Sequence, residues 1–184
     1  NAMRMGVSMV HQHFKLVPSF TVAQNVMLGH EPRHGLFYDG HEAEETVRRL
    51  SAEYGLKVEP GDVVRDLSVG IQQRVEILKA LRTGADVLIL DEPTAVLTPQ
   101  ETEKLFTVMR NMKKDGKAII IITHKLHEVL AVSDRVAVLR KGEYIGDTDT
   151  ATASQQSLTD MMVGRAVSLN IDRPLNENQT DRKS

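Results

Sequence analysis

Two short runs of apolar residues stand out along the chain, and each has the length of a β-strand. Residues 86–90 read DVLIL and residues 117–123 read KAIIIIT. Continuous apolar runs of this length are typical of strands that are buried on both faces of a parallel sheet. Residues 6–11, GVSMVH, are also apolar and β-branched enough to form a short strand.

Helical patterns lie between and around these strands. In residues 66–82, Ile71, Val75, Leu78 and Leu81 fall on one face of a helix. Further helices are predicted within residues 19–30, where Gly29 is a stop, within residues 41–55, where Gly55 lies just past the end, and at about residues 98–114, 124–133 and 154–163.

Capping residues mark the start of two of these helices. Thr21 and Gln24 have the spacing of a capping box. Thr98 is a candidate N-cap that is followed by Pro99 and, three positions later, by Glu101. The sequence thus predicts where both helices begin.

The order of the elements predicts the fold class. Alternating strands and helices are typical of an α/β fold with a parallel sheet and right-handed crossovers. Residues 17–82 are largely helical and are predicted to form a separate lobe, which contains a loop at residues 29–40. Residues 135–147 predict a hairpin. Residues 164–184 lose all periodicity, so we interpret them as a linker or tail.

Composition narrows the class of protein. The 184 residues are 41% hydrophobic and 26% charged, which fits one globular domain. The absence of cysteine excludes disulfides, thiolate metal sites and a cysteine nucleophile. The formal net charge of −2 argues against a general nucleic-acid surface. No apolar run reaches the roughly 20 residues that a transmembrane helix needs.

Two carboxylates follow the buried strand at residues 86–90. Asp91 and Glu92 stand at its end, and open α/β sheets bind ligands at the carboxyl ends of their strands. Because successive strand residues point to opposite faces, we expect the two side chains to have different roles. Chemistry would assign Asp91 to Mg²⁺ on nucleotide phosphates and Glu92 to the attacking water as general base. A strand that simply ends in solvated acids is the alternative.

Ser68 and Gly70 lie at the N-terminal end of the amphipathic stretch of residues 66–82. A helix N-terminus has unpaired N–H groups and a partial positive charge, Ser68 adds a hydroxyl donor, and Gly70 lets the backbone approach a ligand closely. These features predict an anion site. The alternative is that Ser68 only caps the helix.

His124 and Gln12 end two further predicted strands. His124 follows Glu92 by 32 residues (124 − 92), a gap that suits one crossover helix, so we expect both at the same sheet edge. His124 is then a candidate for a γ-phosphate contact that helps to position water, and a structural histidine is the alternative. Gln12 is a candidate for Mg²⁺ or water through its amide, and a polar strand terminator is the alternative.

These stretches resemble the ATP-binding cassette (ABC) family. HQH resembles its Q-loop, LSVGIQQ its signature motif, VLILDEP its Walker B strand with the catalytic glutamate, AVLT its D-loop and THK its switch histidine. The match runs from residue 6 to residue 147. The wording of MVHQHF, LSVG and DEPTAVLTPQE is most similar to ATPase subunits of importers for nucleosides and simple sugars.

The resemblance implies a fold and its subdivision. The implied fold is a partial P-loop NTPase core of α/β class, with parallel strands and a mainly α-helical signature subdomain. The implied parts of a domain at residues 3–184 are a Q-loop strand at 3–16, the signature subdomain at 17–82, a RecA-like core at 83–163 and a linker or tail at 164–184.

The resemblance also implies site residues, with ATP and Mg²⁺ as cofactors. They are Glu92 and His124 for catalysis, Asp91 and, through water, Gln12 for Mg²⁺, and Ser68, Gly70, Gln73 and Gln12 for ATP. The residues of the signature motif would contact ATP on a partner cassette. The motif departs from the common Leu-Ser-Gly-Gly-Gln at Val69 and Ile71, and Thr98 stands where the D-loop aspartate is usual.

One motif of the family is absent from the chain. Phosphate-binding loops need G-x-x-x-x-G-K-[ST], and the single Gly-Lys pair, Gly116-Lys117, is followed by a predicted strand. We therefore expect the chain to be a fragment that lacks the P-loop, its strand and the N-terminal β-lobe. We expect it to bind ATP weakly alone, to hydrolyse it negligibly, and to expose sheet edges or apolar faces that favour self-association.

The resemblance implies partners and a location as well. The partners are a second cassette, as a homodimer or a tandem copy, and the permease subunits, with no nucleic acid. The location is cytoplasmic, on the inner face of the membrane through the permease, with residues 14–20 and the helical lobe receiving a permease helix. Two alternatives stay open: a soluble ABC ATPase that acts on DNA or ribosomes, and a non-catalytic half-cassette that dimerises or regulates.

Overall fold

The structure, a computed structural model, describes residues 6–11, 14–34 and 37–164, so Gln12 lies outside the described residues. The strands are β1 (Val7–Val10), β2 (Arg33–His34), β3 (Phe37–Tyr38), β4 (Val87–Asp91), β5 (Ala118–Ile122), β6 (Arg135–Arg140) and β7 (Glu143–Asp149). The helices are α1 (Val22–Met27), α2 (Gly40–Tyr54), α3 (Val69–Arg82), α4 (Pro99–Lys114), α5 (Leu126–Val132) and α6 (Gln155–Val163), with a 3₁₀ turn at Val64–Asp66.

Three strands form the parallel sheet that the sequence predicts. β4 lies between β1 and β5, and both pairings are parallel. In this register Leu88 lies beside Ser8 on one side and beside Ile119 on the other. Because parallel strands run in the same direction, the carboxyl ends of β4 and β5 meet at one edge of the sheet.

The sheet has two faces with different surroundings. α3 packs on β1 and α4 packs on β5, both on the side that we call the covered face. The covered face consists of Ser8, Val10, Leu88, Leu90, Ile119 and Ile121. The opposite side, which we call the open face, carries Met9, Ile89, Ile120 and Ile122. Met9 is 40% exposed, Ile120 50% and Ile122 47%.

One hydrophobic core joins the helical region to the sheet. Val26 of α1, Val75 of α3, Leu88 of β4 and Leu105 of α4 belong to the same cluster of buried side chains. The described residues form two compact units, one up to Val132 and one from there onward. The subdivision between residues 82 and 83 remains a prediction.

The predicted helix caps of α1 and α4 are confirmed. Thr21 and Gln24 form a complete capping box at the start of α1. Thr98 and Glu101 form another at the start of α4, and Pro99 occupies the first helical position. Each cap satisfies N–H groups that would otherwise lack partners at a helix start.

Two predicted boundaries differ from the structure. The predicted loop at residues 29–40 contains β2 and β3, whose two-residue length leaves no periodicity to detect. α5 begins at Leu126 rather than at residue 124, because the two preceding residues form a turn. In that turn the Lys125 backbone N–H donates to Thr123 Oγ1 at 3.1 Å, and the Lys125 carbonyl accepts from Glu128 N–H at 3.0 Å.

The second unit contains β6, β7 and α6. β6 and β7 pair antiparallel, so the predicted hairpin is confirmed. Lys141 and Gly142, which lie between them, have φ of 51° and 82°. Positive φ at both central residues is the requirement of a type I′ turn, which matches the twist of the flanking strands. Ser154 caps α6.

Candidate functional site

The carboxyl edge of the parallel sheet brings together residues that are distant in sequence. Asp91, the last residue of β4, is in register with Ile122, the last residue of β5. The Glu92 backbone N–H donates to the Ile122 carbonyl at 2.8 Å. Glu92 and His124 therefore lie at the same edge, as the spacing in the sequence predicts.

Glu92 and His124 are in direct contact. His124 Nδ1 lies 2.8 Å from Glu92 Oε1. The His124 side chain is 73% exposed, whereas that of Glu92 is 20% exposed. Glu92 Oε2 is buried and has no hydrogen-bond partner among the described residues. One carboxylate oxygen is thus occupied by the imidazole, and the other retains its acceptor capacity for a water or a ligand.

The backbone of Glu92 is in the left-handed region, with a φ of 47°. For a non-glycine residue this conformation costs about 1–3 kcal/mol of free energy. β4 ends one residue earlier, at Asp91. The strand alternation that we expected to separate the two carboxylates therefore does not extend to Glu92, and a turn sets its direction instead.

Buried side chains from two helices hold the turn that follows Glu92. Gln73 of α3 donates its side-chain amide to the Pro93 carbonyl at 2.5 Å. The Thr94 hydroxyl donates to Glu128 Oε2 of α5 at 2.6 Å. Gln73 is buried in this arrangement, and its role as an ATP contact stays a prediction.

The start of α3 contacts α4. Ser68 is exposed and caps α3, with its Oγ accepting from the Ile71 N–H at 3.4 Å. Gly70 is buried, and a Cβ at this position would lie 2.8 Å from the carboxyl carbon of Glu101. Gly70 thus lies close to the carboxylate end of the Glu101 side chain. The anion site at Ser68 and Gly70 stays a prediction.

The cap of α4 holds Glu101 in this position. Glu101 Oε2 accepts from the Thr98 backbone N–H at 2.9 Å and from the Thr98 hydroxyl at 3.0 Å. These hydrogen bonds lower the pKa of Glu101. Beside this carboxylate, Gly70 and Gln73 line one end of a groove of ≈ 340 Å³ between α3 and α4.

The predicted metal ligands are only partly described. Asp91 ends β4 and is half-buried, while Gln12 lies outside the described residues. Within residues 6–11, 14–34 and 37–164, no group of three or more His, Asp or Glu side chains is arranged to hold a metal ion. Mg²⁺ commonly takes one or two carboxylates together with substrate phosphates and water. Asp91 fits a site of that kind and does not fit an all-protein cage.

The segment after Gln12 is anchored to the helices by buried polar side chains. Glu76 Oε1 of α3 accepts from the Lys15 N–H at 2.6 Å. Asn25 of α1 accepts from the Val17 N–H at 2.7 Å and donates to the Val17 carbonyl at 3.0 Å. These contacts hold the stretch predicted to meet a permease helix against the helical region.

A comparison of the chain with known protein families decides its membership. The sequence profile of the ABC transporter family matches residues 1–95. The chain belongs to the ABC transporter family. This agrees with the parallel strands and helices of the structure, and it confirms the fold class and the family that the motifs indicate.

Curated relatives of this ABC transporter chain carry importer names. It is 52% identical over 167 residues to the nucleoside import ATP-binding protein NupA of Lactococcus lactis subsp. cremoris, covering 91% of this chain and 33% of the relative. It is 50% identical over 169 residues to the guanosine import ATP-binding protein NupO of Bacillus subtilis, covering 92% and 33%. The chain spans about a third of the length of these relatives.

A solved structure of a bacterial ABC transporter cassette in dimeric form has a similar fold. The TM-score is 0.63 at 26% sequence identity, and the match covers 77% of this chain and 62% of the cassette. No helix among the described residues of this ABC transporter chain is both long and apolar enough to cross a membrane.

Sequence reasoning missed the residues behind the Glu92–His124 pair. Thr94 lies within DEPTAVLTPQE, Lys125 lies within THK and Glu128 follows three residues later, but none of them was given a role. Glu128 was the detectable signal, because it lies among apolar residues in a short predicted helix. A buried acid at such a position needs a partner.

Proposed function

We propose that this ABC transporter chain is part of the ATP-binding and ATP-hydrolysing subunit of a nucleoside importer. The Glu92–His124 contact at the carboxyl edge of the parallel sheet is the observation that carries the proposal. The names of the two relatives, for nucleoside and guanosine import, support the solute class. Simple sugars are the second solute class, because the motif wording also resembles sugar importers.

In this proposal Glu92 is the general base. The Glu92 carboxylate takes a proton from the water that attacks the γ-phosphate, and Oε2, buried and without a partner among the described residues, is the oxygen that His124 leaves unoccupied. His124 orients the carboxylate through Oε1 and presents Nε2 towards the phosphate. When the ring donates from Nδ1 to Glu92, a hydrogen bond from Nε2 to a phosphate oxygen requires the doubly protonated ring.

The proposed Mg²⁺ site uses Asp91 and, through water, Gln12. When bound, Mg²⁺ neutralises charge on the nucleotide phosphates. Asp91 supplies a carboxylate as the last residue of β4, whereas Glu92, with its left-handed backbone, begins the turn that follows the strand. The two acids therefore serve different partners.

The proposed partners are a second cassette and permease subunits. Ser68, at the exposed start of α3, would contact ATP held by the second cassette, and the dimeric form of the solved relative supports this pairing. Gly70, two residues further along the chain, would contribute to the same contact. Residues 14–20 would receive a permease helix, which places the subunit on the cytoplasmic face of the membrane.

The test uses the product of the complete gene, reconstituted with its permease in vesicles. Glu92→Gln is expected to lower ATP turnover by about 10²–10⁴-fold, because it removes the general base, while ATP binding persists. The matched control is Glu103→Gln, a change of the same chemistry at an exposed position of α4. Uptake of labelled guanosine should exceed that of labelled ribose.

Three outcomes would contradict these expectations. Full turnover in Glu92→Gln contradicts the general-base role, and preferential ribose uptake moves the solute to the sugars. The 184-residue chain alone should hydrolyse ATP negligibly. If the chain alone hydrolyses ATP above background and Glu92→Gln abolishes this activity, that expectation is contradicted.

A further inference from the structure

A buried ionic cluster lies behind the Glu92–His124 pair. The Thr94 hydroxyl donates to Glu128 Oε2 at 2.6 Å. Lys125 Nζ donates to the Thr94 carbonyl at 3.0 Å and to the Thr94 hydroxyl at 3.1 Å, and lies 3.3 Å from Glu128 Oε1. Thr94 and Glu128 are both buried. We call these three residues the Thr94 cluster.

The cluster is one of two cross-links that flank the pair. On one side, the Glu92 N–H donates to the carbonyl of Ile122, two residues before His124. On the other side, the cluster joins Thr94, two residues after Glu92, to Lys125, the residue after His124. The two segments that carry the pair are thus joined on either side of the contact.

These cross-links act on a backbone that would otherwise relax. Glu92 is in the left-handed region, which is unfavourable for a residue with a side chain and persists only where the surroundings impose it. The charges within the cluster compensate each other, since the buried Glu128 carboxylate has the Lys125 ammonium beside it. Loss of the Thr94 hydroxyl removes the centre of this network, because both charged groups bond to it.

We propose that Thr94, Lys125 and Glu128 are positioning residues that keep Glu92 and His124 in contact. The catalytic meaning of this role rests on the proposed function, whereas the contact itself is measurable without ATP. The measurable property is the tautomer of His124. Because Nδ1 faces the carboxylate, the neutral ring should carry its proton on Nδ1, and loss of the contact should release it to Nε2.

The experiment is long-range ¹⁵N–¹H NMR of the imidazole in the full 184-residue chain at mildly alkaline pH. We expect the Nδ1–H form of His124 in the wild type and its loss in Glu92→Ala, which serves as the reference. Thr94→Val should lose most of the Nδ1–H population, and Thr94→Ser, which keeps the hydroxyl, should restore it. Thr107→Val is the matched control, because Thr107 is exposed on α4 and bonds only to the Glu103 carbonyl one turn earlier.

Every outcome decides the proposal. A Thr94→Val chain that is folded by circular dichroism and keeps the wild-type tautomer overturns it. If Thr94→Val fails to fold, Glu128→Gln preserves the side-chain shape, and retention of Nδ1–H there overturns it as well. A wild-type spectrum like that of Glu92→Ala refutes the contact itself. The 184-residue chain could give the expected spectra while the product of the complete gene does not hydrolyse ATP. That result would contradict the proposed function and leave the positioning role intact.

Discussion

The two faces of the β1–β4–β5 sheet have the same kind of side chain and different surroundings. On β5, Ile119 and Ile121 pack against the core, whereas Ile120 and Ile122 are about half exposed. Apolar residues on both faces are the usual composition of a parallel strand that is buried on both. Among the described residues only one face is covered, so the open face has the composition of an interface.

The comparison shows that composition and burial are separate properties of a strand. A continuous apolar run indicates that both faces of the strand are suited to burial, but it does not indicate which elements cover them. α3 and α4 cover one face because their own apolar stripes match it. The open face therefore has apolar side chains that suit burial and remain partly exposed among the described residues.

The largest expected effect separates the two faces by stability. Leu90→Ala on the covered face should lower the free energy of unfolding by about 3 kcal/mol, because Leu90 is fully buried and its truncation leaves a cavity. Ile120→Ala on the open face should cost less than about 1 kcal/mol, because half of the side chain is already in water. Urea unfolding followed by circular dichroism measures both. Equal costs would show that the open face is buried in solution.

The next effect concerns self-association. The double substitution Ile120→Thr with Ile122→Thr keeps β-branched residues on β5 and removes apolar area from the open face. Sedimentation velocity over a range of concentrations should show a lower apparent mass than the wild type. Leu139→Thr is the control, because Leu139 is an exposed apolar residue on β6 of the second unit. A fall in mass in the control alone would place the association outside the open face.

The smallest effect concerns the cap of α4, one of the two helices over the covered face. Thr98→Ala should lower the free energy of unfolding by about 1 kcal/mol near neutral pH, because it removes the side-chain cap. The folded-state pKa of Glu101 lies below its ordinary value of 4.5. Ionised Glu101 therefore stabilises the fold above that pH, and this contribution is lost as the pH falls through the folded pKa.

The cost of Thr98→Ala should accordingly shrink as the pH falls below about 4.5. The cap of α1 provides the control, since its capping box pairs Thr21 with Gln24, which does not titrate. Thr21→Ala should have a similar cost at neutral pH and keep it in acid. The same decline in both variants would assign the effect to general acid destabilisation rather than to Glu101.

Much of the fold follows from patterns a few residues long. The capping boxes at Thr21 and Thr98 involve residues three positions apart, and the structure confirms both. The strands at DVLIL and KAIIIIT also appear where the apolar runs predict them. The approach of Glu92 to His124 was predictable from one long-range rule, that parallel strands end at the same edge.

Other features of the site have no short-range signal. Gly70 lies against the Glu101 side chain, 31 positions away (101 − 70), a contact that no local sequence pattern indicates. The left-handed φ of Glu92 was hidden because the residue follows a regular strand. Glu128 bonds to Thr94, 34 positions earlier in the chain, and no short pattern links the two residues.

The sequence by itself determined the strands of the parallel sheet, the caps of α1 and α4, and the sheet edge at which Glu92 and His124 meet, because neighbouring residues and strand direction are enough to specify them. Only the tertiary structure decided which isoleucines of β5 are covered and which buried groups hold the pair in place. Those outcomes depend on contacts between segments that lie tens of residues apart. Residues of the same type, such as the isoleucines of β5, are buried or exposed according to which element packs on them.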